Sequence, residues 1–154
     1  MSGQPRRTIL VVDTDENAIK LISTTLADAN FVVLEARGGM EGVSAMLRHD
    51  GEIALAVVEI RMPDINGLDL ANQIAIERPT TEILYLSSVA NSVAVESITR
   101  AKPDAVLPKP FTPEQLLGRV QQCVTAPSLK ADRHEVGQRC GASHRRTREE
   151  RVSR

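Results

Sequence analysis

Thr8-Ile9-Leu10-Val11-Val12-Asp13 is a short, almost unbroken run of β-branched and aliphatic residues that ends in an acid. Such a run suits a strand buried on both faces of a parallel sheet, where neither face calls for alternating polar residues. After it, Asp15–Ala29 places Ala18, Ile22, Thr25, Leu26 and Ala29 on one stripe at spacings of three and four, which predicts a helix. Asp15 and Glu16 suit its N-terminus, Asp15 as a cap for the exposed N–H groups, and Asn30 suits its C-terminal cap.

The same alternation repeats along the chain. Phe31–Ala36 reads as strand β2, Gly39–His49 as helix α2, Ile53–Glu59 as β3, and Gly67–Arg78 as α3, stopped by Pro79. Glu82–Ser87 follows as β4, Asn91–Ala101 as α4, Asp104–Leu107 as β5 and Pro113–Val124 as α5. Five strands alternating with five helices predict an α/β fold, an open, doubly wound parallel sheet with helices on both faces. In such sheets function collects beyond the carboxyl ends of the strands. Four polar groups fall there: Asp13 after β1 (Thr8–Asp13), Glu59 after β3, Ser87 after β4 and Lys109 after β5. Two acids, a hydroxyl and a lysine in one pocket are the parts of a site for a divalent cation and a phosphoryl group.

Composition narrows the function classes. The chain has 154 residues, 42% of them hydrophobic, which suits one soluble domain. No apolar run reaches the roughly 20 residues a membrane span needs, and Met1–Thr8 lacks a secretory apolar stretch, so a cytoplasmic protein is expected. Up to Thr125 there are 11 Lys+Arg against 16 Asp+Glu, a net of −5; from Ala126 onward there are 8 against 4, a net of +4. The acidic body argues against a nucleic-acid-binding fold, and the basic tail lacks aromatic residues to stack on bases. The expected organisation is an N-terminal extension over 1–7, one domain over 8–125, and a basic, disordered tail over 126–154. Cys123, His134, Cys140 and His144 match no standard zinc spacing, and the two cysteines are expected to be free thiols.

Four motifs in order, Ile9-Leu10-Val11-Val12-Asp13, Val58-Glu59-Ile60-Arg61-Met62-Pro63-Asp64-Ile65-Asn66-Gly67, Leu86-Ser87-Ser88 and Lys109-Pro110-Phe111, resemble the signature of response-regulator (CheY-like) receiver domains over roughly residues 8–124. The resemblance implies a flavodoxin-like, three-layer fold with strand order 2-1-3-4-5. It also implies that an aspartate stands at the position of Glu59 and accepts a phosphoryl group from a kinase histidine. Acids at the positions of Asp13 and Thr14 would hold Mg²⁺, Ser87 and Lys109 would contact the phosphoryl group, and the Lys109–Pro110 bond would be cis. Pro63, Gly67 and Pro110 are expected to be structural.

Three departures shape the expected function. Glutamate at 59 is one methylene too long for in-line transfer, where a misplacement of about 1 Å can cost 100-fold. Thr14 replaces the second acid, so Mg²⁺ is expected to bind weakly if at all, on Asp13, Glu59 and Arg61, with Asp15 the other acid of the pocket. Val106 stands where the family has a switch aromatic. The chain is therefore expected to be a pseudo-receiver of two-component phosphorelay signalling, needing no cofactor and acting by protein binding. Its expected partners are a histidine kinase, another receiver or an output protein, with a homodimer through the α4-β5-α5 face as a further option. The alternatives are a conventional receiver phosphorylated at Glu59 or Asp64, and an unrelated small α/β enzyme. No nucleophile elbow, phosphate-binding glycine loop or dinucleotide fingerprint supports the last.

Overall fold

A computed structural model describes residues 5–88 and 93–125; the expected tail and the first two residues of the predicted α4 lie outside them. In chain order the elements are β1 (Thr8–Val12), α1 (Glu16–Asp28), β2 (Val32–Ala36), α2 (Gly39–Arg48), β3 (Leu55–Glu59), α3 (Gly67–Glu77), β4 (Glu82–Ser87), α4 (Val93–Ala101), β5 (Val106–Pro108) and α5 (Pro113–Thr125), with a 3-10 turn over Pro103–Ala105. The five strands form one parallel sheet in the order β2-β1-β3-β4-β5. This is the flavodoxin-like arrangement that the resemblance implies.

Strand side chains alternate between two apolar layers, as a period of two requires. Ile9, Val11, Leu55, Val57, Leu84 and Leu86 pack against Ile22 and Leu26 of α1 and Leu116 and Val120 of α5. Leu10, Val12, Ala56 and Val58 face the other way, onto Met46 of α2 and Leu70 and Ile74 of α3. A fully buried side chain of this kind contributes roughly 1.5–3 kcal/mol. Both layers therefore hold the sheet, which explains the strands' lack of polar alternation.

Some local expectations shift. The buried stripe of α1 is Ile19, Ile22 and Leu26, with Ala18 only partly covered. Asn30 adopts a φ of 76°, and the N–H groups of Asn30 and Phe31 donate to the carbonyls of Ala27 and Leu26, which closes α1 with a left-handed cap. The fifth strand begins at Val106, two residues later than expected. Pro103 starts a tight turn in which the Ala105 N–H donates to the Lys102 carbonyl, so Asp104 and Ala105 never join the ladder.

Candidate functional site

Strand register brings the expected residues together. Val12 pairs with Val58, so Asp13 and Glu59 emerge side by side from β1 and β3. Glu59 pairs with Leu86, one residue before Ser87, and Ser87 pairs with Pro108, one residue before Lys109. The backbone supports the cluster: the N–H of Lys109 donates to the Ser87 carbonyl at 2.8 Å, and that of Ile60 to the Leu86 carbonyl at 3.0 Å.

At the centre is a three-residue ionic cluster. Lys109 Nζ lies 2.8 Å from Asp13 Oδ2 and 2.8 Å from Glu59 Oε1. Asp13 and Glu59 are 1% and 3% exposed, and Ser87 is buried beside them at 4%. The second oxygen of each acid takes a backbone N–H, Asp13 Oδ1 from Asp15 at 3.1 Å and Glu59 Oε2 from Arg61 at 3.0 Å. Burial alone would lower the lysine pKa, but hydrogen bonds and charge from Asp13 and Glu59 outweigh it, so Lys109 is held above its ordinary value. The ammonium is a permanent cation at any physiological pH.

This sheet order, with acids and lysine at the carboxyl edge, accompanies a match to the response regulator receiver domain model over residues 9–121. The chain belongs to that family. The receiver domain is similar to part of the sensor kinase CckA of Brucella abortus, with 27% identity over 75% of this chain and 12% of that protein. It is also similar to the response regulator SaeR of Staphylococcus aureus, with 22% identity over 76% of this chain. The chain spans about half of SaeR (50%) and a small part of CckA. Among solved structures, it superposes on a CheY-like receiver domain of Methanospirillum hungatei with a TM-score of 0.69 and 23% identity, covering 78% of this chain and 94% of that one. The BeF3-activated receiver domain of DrrB gives 0.67 and 27%, covering 77% and 97%.

The other expected site residues take varied places in this receiver domain. Asp15 is the N-cap of α1, its carboxylate accepting from the Asn17 N–H at 3.0 Å. Among the described residues no three acidic, His or Cys side chains are grouped to share an ion, so Asp15 does not join Asp13 and Glu59 as a third acid. The Arg61 residue is exposed, and its backbone N–H serves Glu59. Pro63 is exposed in the β3–α3 loop, and the Lys109–Pro110 peptide is cis. Val106 is buried at 5%, beside Tyr85 in the sheet, and its carbonyl accepts from the Arg119 guanidinium of α5.

Asp64 has a role the sequence reading missed. Its carboxylate accepts from the N–H groups of Gly39 at 3.0 Å, Met40 at 2.9 Å and Ile65 at 2.7 Å, so it caps α2 from the β3–α3 loop. A signal was present: α2 opens on Gly38 and Gly39, with no side-chain cap of its own. The bonds from Met40, Ile65 and Gly39 hold the Asp64 carboxyl below its ordinary value. Because that folded value is depressed, the bonds' contribution is complete above an unfolded pKa of about 3.9 and is lost as pH falls through the folded value. An NMR titration of the Met40 amide should therefore show a midpoint below about 3.9; a midpoint at or above it would remove Asp64 from this role. Asp64→Ala should speed hydrogen exchange at Gly39 and Met40.

Proposed function

We propose that this chain is an atypical receiver, a pseudo-receiver in two-component signalling that acts by binding other proteins, with Glu59 standing where the family's phospho-accepting aspartate stands. The observation that carries this reading is the shared ammonium: Lys109 lies 2.8 Å from both Asp13 and Glu59. A lysine needed to meet an incoming phosphoryl group is already engaged, and the carboxylate that would accept the group is 3% exposed. One negative charge from Glu59 stands in for the nearly two charges of an acyl phosphate, so any imitation of the phosphorylated state is partial.

In this reading the chain is not an enzyme and needs no cofactor. Mg²⁺ prefers near-octahedral oxygen ligands, whereas both acids lean on Lys109, Asp15 caps a helix and Thr14 brings no carboxylate. The available residues therefore fit Mg²⁺ poorly. Val106 has no ring to rotate, and its carbonyl is tied to Arg119, which suits a face kept in one state. The expected partners are a histidine kinase, another receiver or an output protein, in keeping with a sensor kinase and a response regulator among the relatives; the α4-β5-α5 face is where a second copy would pair.

Acetyl phosphate with Mg²⁺, followed by intact mass measurement, tests the reading. The wild type is expected to stay unmodified, and Glu59→Asp to gain one phosphoryl group. Mg²⁺-dependent labelling of wild-type Glu59 would overturn the proposal. A Glu59→Asp variant that stays unmodified would place a second lesion at Thr14.

A further inference from the structure

Next to the ionic cluster, between the loop that leaves β3 and the start of α4, lies an open cavity of about 360 Å³. Its walls are mostly apolar, supplied by Ile60, Met62, Leu68 and Val95, while Glu59 and Ser87 bring the buried polar groups. That volume falls at the small end of small-molecule sites, about 300–1,000 Å³, and an apolar lining with a few convergent polar groups is their usual make-up.

Charge decides what kind of molecule fits. Asp13 and Glu59 carry two negative charges and share the single ammonium of Lys109, which leaves one negative charge buried beside the cavity. Because both carboxylates are buried, that charge acts more strongly than it would in water. An anion entering there is repelled, and a neutral molecule gains only apolar burial. A cation on an apolar body gains both. Arg61 also lines the cavity, but the residue is exposed, so its charge acts through water and counts for less than the buried carboxylates.

We infer that the cavity beside Glu59 is a binding site for a small organic cation, an ammonium group carried on an apolar body. The inference rests on reading Glu59 as a permanent carboxylate, since a phosphoryl group on it would bring bulk into the same region.

Three probes with one alkyl chain and different heads test this: hexylammonium, 1-hexanol and hexanoate, each titrated into the ¹⁵N-labelled full chain. Hexylammonium should give saturable amide shifts at Ile60, Leu68 and Val95, 1-hexanol should bind at least fivefold more weakly, and hexanoate should give none. Glu59→Gln should bring hexylammonium down to the affinity of 1-hexanol. Ala94 also lines the cavity from α4, and Ala94→Phe, which fills it, should abolish the shifts while the rest of the spectrum stays folded. Equal affinity for amine and alcohol, binding of hexanoate, or unchanged shifts in Ala94→Phe would overturn the assignment. Acetyl phosphate labelling of the same wild-type sample, without amine, keeps the two readings apart. Labelling sinks the pseudo-receiver whatever the amine does, and an unlabelled protein with no amine-selective shifts overturns the cavity site alone.

Discussion

Lys109→Met is expected to lower stability by about 3 kcal/mol at neutral pH, measured by urea unfolding. Removing one partner from a buried ionic group leaves the others uncompensated, typically at a cost of 3–5 kcal/mol. The lower end applies because the lysine side chain is 17% exposed and water can approach it. Here two carboxylates lose their cation together, and they repel one another once it is gone. Adding Asp13→Asn and Glu59→Gln to Lys109→Met should recover most of the loss, since neutral amides need no counter-charge. A triple variant no more stable than the single one would show that packing of the lysine stem, not charge, was lost.

The pH profile gives a second check with a definite sign. The folded pKa of Lys109 is raised, so its stabilising effect is complete below the unfolded lysine pKa of about 10.4 and disappears as pH climbs through the folded value. The stability difference between wild type and Lys109→Met should shrink only in strong alkali on this account. A difference that already vanished near pH 9 would contradict it.

The second large effect is expected at Gly67. A Cβ placed there would sit 2.3 Å from the Glu59 carbonyl oxygen and 2.8 Å from Ile60 Cα, both backbone atoms that cannot swing aside. The Gly67 N–H also donates to the Ile60 carbonyl at 2.7 Å, which folds the β3–α3 loop back onto the end of β3. Gly67→Ala should therefore cost about 3 kcal/mol, the upper range for overpacking. In a domain of this size that corresponds to a Tm lowered by roughly 10 °C, read by thermal circular dichroism. Gly118 is the matching control. It lies on the exposed face of α5 with nothing within 4 Å of where a Cβ would stand, and Gly118→Ala should stabilise the helix by roughly 0.5–1 kcal/mol. If the two substitutions behaved alike, the close approach at Gly67 would not be the cause.

Much of the site was legible because it follows from strand periodicity. Once TILVV and LAVVE are parallel strands in register, Asp13 and Glu59 must emerge together, and Ser87 and Lys109 follow from the next two pairings. The caps were legible for the same local reason. Asp15 stands directly before its helix and Asn30 just after it, whereas the exchange of hydrogen bonds between Thr112 and Gln115 at the start of α5 is seen only in the structure. In the sequence Asp64 reads as an alternative acceptor and not as a cap, because its partners, Gly39 and Met40, are 25 and 24 residues away. Arg78 is a similar case: its guanidinium donates to the carbonyls of Met46, His49 and Gly51 and closes the other end of α2.

The sequence alone determined the α/β alternation, the two-sided burial of the strands and the set of residues at the sheet's carboxyl edge, because each depends on periodicity within a few neighbours. Only the tertiary structure decided that one ammonium is divided between Asp13 and Glu59, that Asp15 stays outside their pair, that β5 starts at Val106, and that an apolar cavity opens beside Glu59. Those outcomes depend on through-space distances between residues far apart in the chain, and local pattern carries no record of such distances.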